Sequence, residues 1–145
     1  MNETITIGGL TLDFYQDRHT TREQLDLFAM TVAPGARMPV AHYHESWDET
    51  VLGLSGTLVF RVDGETVEVA PDTSLFIPRG AVHGFDNLSN APARCLCMLT
   101  PGALGADYFR ELAALAAEGP PDPALMKAVM QRYGLVPVAD QTPAA

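Results

Sequence analysis

The 145-residue chain carries 18 Asp and Glu against 9 Lys and Arg, a net charge of −9, with 47% hydrophobic residues. A surface this acidic lacks the cations that a phosphate backbone requires, and anionic lipid repels it. At this length one domain with a small appendage is expected, burying about 70% of the unfolded surface without staples.

The first hundred residues predict strand after strand. TITIGGLTLDF alternates apolar and polar residues on both sides of Gly8-Gly9, a hairpin signal. QLDLFAMTV reads as a strand ending at Pro34-Gly35, and MPVAHYH alternates as well. TVLGLSG runs to a turn at Ser55-Gly56, and TLVFRV and ETVEVA flank Asp63-Gly64, the strongest hairpin dipeptide in the chain. SLFIP, HGFDN and ARCLCMLT complete the set. Many short strands between Gly, Pro, Asn and Asp turns predict a sandwich or barrel.

Near Pro101-Gly102 the period changes. ADYFRELAALAAEG has apolar residues at helical spacing and stops at Gly119. A second helix is expected from Asp122, an N-cap residue followed by Pro123, to a C-cap at Gly134. Its apolar stripe is read as Leu125, Val129 and Tyr133. The boundary between β region and helices falls at residue 102, giving units 1–102 and 103–145. The last residues, ADQTPAA, are expected to fray. No basic region followed by a long apolar run opens the chain, and no run reaches the ~18 apolar residues of a membrane span. Cys95 and Cys97, two apart on one strand, suit a disulfide poorly and read as small buried hydrophobes. Two thiols without a framework fit a reducing compartment, so the cytoplasm is the expected location.

The chemistry concentrates in HYHESWDE. On a strand His42 and His44 share a face, and two imidazoles about 7 Å apart can converge on one ion. Glu49 follows after a short loop and can return beside them with a carboxylate. FIPRGAVHGF adds His83 after a Pro-Arg-Gly turn. The fourth histidine, His19, sits in the polar segment YQDRHTTRE and reads as a solvated loop residue. Parity places Met38, Val40, Val51, Gly53, Ser55 and Phe85 on the face of the histidines or of Glu49, a mostly apolar lining. Tyr43 and Trp47 are expected at the mouth or on the surface, and Arg61 and Arg79 have ordinary surface roles. No nucleophile elbow or phosphate loop is present: Ser55 lies in a β turn.

Two stretches together resemble the cupin superfamily. GARMPVAHYHESWDETVLGLSG carries Gly35, His42, His44, Glu49 and Gly56, with a first gap of six residues where the family has about five. DTSLFIPRGAVHGFDN carries Pro78, Gly80, His83 and Asn87, with Asp72 where the family has Gly. Asp tolerates the left-handed geometry of a turn. The resemblance implies a mainly β protein, a cupin-type jelly-roll β-barrel over 1–102 with two C-terminal helices packed on the barrel or on a partner subunit. It implies that His42, His44, Glu49 and His83 are metal ligands. Three neutral imidazoles and a carboxylate suit one divalent first-row metal: Fe, Mn, Ni, Zn or Cu. It further implies a homodimer and a small-molecule partner. For activity it suggests an oxygenase on a small aromatic or enol-type substrate, with Glu49 as ligand and catalytic base. A non-catalytic binding or sensing module and a metal-dependent isomerase stay open beside it.

Overall fold

In the computed structural model, which describes residues 1–37 and 40–138, the local turn chemistry sets the strand pairs. β1 (Glu3–Ile7) and β2 (Leu10–Gln16) pair antiparallel across the Gly8-Gly9 turn. β6 (Leu58–Val62) and β7 (Glu65–Val69) do so across Asp63 and Gly64, both at positive φ (49° and 84°), the signature of a type I′ turn. The remaining strands are β3 (Asp26–Val32), β4 (His42–His44), β5 (Asp48–Ser55), β8 (Ser74–Ile77), β9 (His83–Asp86) and β10 (Ala93–Thr100). Asp72 adopts φ 65°, so the residue standing in the glycine position does take the left-handed conformation.

Two helices, α1 (Gly105–Ala117) and α2 (Pro123–Arg132), follow, and then a strand that local pattern does not announce, β11 (Leu135–Pro137). The strands form two sheets, ordered β1-β2-β3-β10-β5-β8 and β11-β4-β9-β6-β7. The jelly roll is therefore two facing sheets, not a closed ladder, among the described residues. β11 pairs with β4, setting Leu135 opposite His44 and Pro137 opposite His42.

Between the sheets lies one apolar core. Leu12, Phe14, Val51, Phe60, Ile77 and Leu99 are each 1% exposed or less. Phe109 of α1 packs its ring 5.6 Å from Phe14 and 5.5 Å from Phe28, which themselves stack at 4.8 Å. Each such aromatic pair adds about 0.5–1.5 kcal/mol to area burial, tying α1 to β2 and β3 of the first sheet.

The start of α1 has no side-chain cap of its own. Two buried carboxylates supply it, Asp17 in the loop after β2 and Asp26 at the start of β3. Asp26 accepts from the Leu104 backbone N–H (3.1 Å) and from that of Arg18 (2.7 Å). Asp17 accepts from the N–H of Ala106 (3.2 Å) and of His19 (2.9 Å). Anionic acceptors at a helix N-terminus complement its dipole. α2 begins as its sequence implies: Asp122 accepts from the Ala124 N–H at 2.9 Å, with Pro123 at the first turn.

The stripe on α2 differs from expectation. Leu125 is 53% exposed, and the buried face is Met126, Val129 and Met130, with Tyr133 half-buried. Spacings of three and four from Met126 meet the core, and Leu125 lies about 100° round the helix from it. Met38, expected in the lining, and the tail from 139 lie outside the described residues.

Candidate metal centre

β4 delivers His42 and His44 to one face, and its pairing with β9 sets His83 directly opposite His42. The three rings gather with centroids 4.6 to 5.0 Å apart. Each offers a ring nitrogen within 4.8 Å of the others. All three side chains are buried.

The hydrogen bonds orient the lone pairs inward. Nδ1–H of His42 donates to the Val40 carbonyl and Nδ1–H of His83 to that of Ala81, both at 3.0 Å. A carbonyl only accepts, so in each ring Nε2 is left with a lone pair. The Nε2 atoms of His42 and His44 stand 3.1 Å apart, and Nε2 of His83 is buried with no partner. No bond fixes the tautomer of His44, so its Nε2 either donates to the lone pair of His42 or turns a second lone pair toward a shared cation. Burial is the main reason that His42 falls to about 3 and His44 to about 2, with the neighbouring rings adding repulsion. Neutral imidazoles are the form a metal takes. The donor set fits a divalent transition metal.

The turn Pro78-Arg79-Gly80 locks the second histidine motif onto the first. The Gly80 N–H donates to the His44 carbonyl at 2.9 Å. Arg79 donates to Asp48 from its backbone at 2.8 Å and from its guanidinium at 3.2 Å. Arg79 is thus a clamp between loops, not an incidental surface cation. Arg61 pairs with Asp86 on β9.

Glu49 comes from the other sheet, between Leu99 of β10 and Ile77 of β8. Its carboxylate stands outside the tight imidazole cluster but lines the same cavity as His42 and His44. Burial pushes this carboxyl up, and the nearby His83 opposes the shift. The cavity, about 110 Å³, lies between the sheets. Val40 and Phe85 line it as expected, joined by Cys97. Both cysteines are free and buried, with sulfurs 3.8 Å apart. Their mutual hydrogen bond and burial hold the Cys97 thiol well above its ordinary range.

Several expected linings fall elsewhere. Val51 is buried but does not reach the cavity, and Ser55 is exposed. At Gly53 a Cβ would lie 2.0 Å from the Ala70 carbonyl oxygen, so glycine serves a close backbone approach and not an open pocket. Trp47 is 1% exposed instead of at the mouth; it stacks on His44 at 4.7 Å with planes 21° apart. Gly134 leaves room for it, since a Cβ there would come within 3.1 Å of the indole. His19 is exposed but not free, as its Nε2 meets Asp107 at 3.0 Å.

Local pattern missed the far wall. Leu104, Tyr108, Leu112, Met126, Met130 and Leu135 all line the cavity, and all follow residue 102. The only sequence signal for them is the apolar face of each helix, which does not say what it faces.

A two-sheet jelly roll with a buried His cluster on one sheet and a carboxylate on the other defines the class as cupin. Residues 28–99 match the Cupin domain family, and the chain belongs to the cupin superfamily. Tetracenomycin polyketide synthase protein TcmJ of Streptomyces glaucescens is 39% identical over 70 residues, 48% of this chain and 46% of that protein. Quercetin 2,3-dioxygenase of Bacillus subtilis strain 168 is 33% identical over 73 residues, 50% of this chain and 21% of that enzyme. The chain spans less than half the length of either relative. A crystal structure of a sugar phosphate isomerase from a cupin superfamily, from Silicibacter pomeroyi DSS-3, aligns with a TM-score of 0.57. It is 27% identical and covers 65% of this chain and 60% of that one. Among the described residues, no helix is long and apolar enough to cross a membrane.

Proposed function

We propose that the chain is a metal-dependent oxygenase acting on a small aromatic or enol-type molecule. His42, His44 and His83 hold one divalent metal, with Glu49 as fourth ligand. The observation that carries this reading is the unpartnered Nε2 of His83 beside the facing Nε2 atoms of His42 and His44, at the edge of an apolar cavity. A bound divalent metal supplies Lewis acidity to an oxygen of the substrate. Glu49, desolvated and facing the cavity, takes the proton from the substrate's enol or phenol oxygen. The apolar walls exclude water from the ionised substrate. The likeness to quercetin 2,3-dioxygenase supports oxygen as co-substrate.

Cavity size narrows the substrate. An apolar cavity of about 150 Å³ holds one benzene, so about 110 Å³ fits a compound of one ring or fewer, with slight yielding of the walls. A three-ring flavonol does not fit the cavity in this form.

The test is oxygen uptake by protein loaded in turn with Fe(II), Mn(II), Ni(II), Cu(II) and Zn(II). Monocyclic phenols and small diketones are the substrates. Uptake matching substrate loss with at least one metal supports the oxygenase. Turnover under argon points instead to an isomerase, and tight binding without conversion to a sensing module.

We also propose a homodimer through the outer face of β8, β5 and β10. Phe76, 57% exposed, and Met98, 36% exposed, flank Thr50 there, beside Leu52 and Leu96. Light scattering should give twice the chain mass, and Phe76→Glu should halve it.

A further inference from the structure

We infer that Tyr108 is a substrate-positioning residue whose hydroxyl donates a hydrogen bond to a second oxygen of the ligand, so that the cavity selects a phenol or enol that also carries a carbonyl group. The inference rests on the metal-binding reading above.

Tyr108 lies on α1, beyond the matched family segment, which ends at residue 99. It is 4% exposed and lines the cavity. Its ring is held edge-on by Phe109 at 5.0 Å and Tyr133 at 5.4 Å. Its hydroxyl has no hydrogen-bond partner among the described residues. Tyr hydroxyls in largely buried rings normally find a hydrogen-bond partner. The other residues that α1, α2 and β11 contribute to the wall, Leu104, Phe109, Leu112, Met126, Met130 and Leu135, carry no hydrogen-bonding group stronger than a thioether. Tyr108 is therefore the one residue of the helical wall with a hydroxyl to offer a molecule in the cavity. Burial raises the Tyr108 pKa, so the group stays a neutral donor at working pH. A donor of this kind pairs with a carbonyl oxygen.

The position of Tyr108 is itself enforced. Asp17 and Asp26 hold the first turn of α1, two to four residues before it. Met126 and Met130 can yield to a ring slightly larger than benzene, because the thioether side chain has three rotatable bonds.

The experiment uses zinc-loaded protein, so that no oxidation intervenes, and two probes of one ring. 4-Hydroxybenzaldehyde has the second oxygen; p-cresol replaces it with a methyl group. Calorimetric titration compares the original protein with Tyr108→Phe. The variant should hold the same zinc and melt at the same temperature. Its dissociation constant for 4-hydroxybenzaldehyde should rise roughly tenfold, the worth of one net hydrogen bond, while that for p-cresol stays unchanged. Equal weakening of both probes, or of neither, overturns the role given to Tyr108 and leaves the metal site standing. Failure of the original zinc-loaded protein to bind either probe overturns the ligand class and this inference together. Failure to hold zinc at all overturns the metal reading beneath both.

Discussion

Asp26→Ala tests whether the helical wall is seated by its borrowed cap. Asp26 has no exposed surface, and its two oxygens accept from the N–H groups of Arg18 and Leu104. Alanine leaves both donors buried and unpaired, each at about 1–3 kcal/mol. Against this, the variant removes a carboxylate whose burial already raises its pKa, so part of the loss is returned. The net loss is expected at about 2–4 kcal/mol, or a fall of about 4–16 °C in Tm for a domain of this size. Urea denaturation followed by tryptophan fluorescence reads it directly, since Trp47 is buried against His44 and Gly134. A displaced α1 would carry Leu104 and Tyr108 with it, so ligand binding should weaken along with stability. A loss below 0.5 kcal/mol, the range of ordinary surface substitutions, would refute the view that Asp26 caps α1. Asp26→Asn separates charge from hydrogen bonding. It retains one acceptor oxygen, and its amide faces a donor at the other site, so it should lose less than alanine but not restore the original stability.

His44→Ala should lower bound metal at least tenfold by elemental analysis with the fold kept, whereas Glu49→Gln should lose less, because its carboxylate stands outside the imidazole cluster; undiminished occupancy in His44→Ala would count against the centre. In protein stripped of metal, folding favours the neutral forms of His42 (about 3) and His44 (about 2) over the ordinary 6.5. Below pH 6.5 the unfolded chain binds two protons that the folded chain refuses, so stability falls as pH drops towards 3, with a limiting slope of about 2.7 kcal/mol per pH unit. Urea midpoints from pH 7 to 4 should show that slope in excess of a His42→Gln, His44→Gln double variant; parallel profiles would sink it. Trp47→Ala should cost about 3–5 kcal/mol and weaken metal binding by freeing the His44 ring, read by chelator competition. Gly53→Ala should unfold the C-terminal end of β5 or cost more than about 3 kcal/mol, since its Cβ meets backbone, not a movable side chain.

Much of the fold was legible because it rests on local chemistry. Asp63-Gly64 allows little but a tight hairpin, Asp122-Pro123 starts a helix wherever it lies, and alternation alone puts His42 and His44 on one face. His83 was legible through its motif, and Asp72 through the tolerance of Asp for positive φ. Trp47 was not: a short polar loop reads as surface, and only the return of β11 beside β4 buries the indole. The stripe on α2 was misread by one residue because several apolar residues compete there, and local pattern cannot say which meets a neighbour.

The chain by itself determined the run of strands up to Thr100, the residues with metal-ligand chemistry and the acidic surface, since each follows from side-chain type and spacing over a few residues. Tertiary structure alone decided that Glu49 faces the histidines from the opposite sheet, and that α1, α2 and β11 close the cavity with Tyr108 on its wall. Both relations depend on partners dozens of positions away, Ile77 and Leu99 beside Glu49 and the helices beside the sheets, and only packing around a shared core specifies which distant surfaces touch.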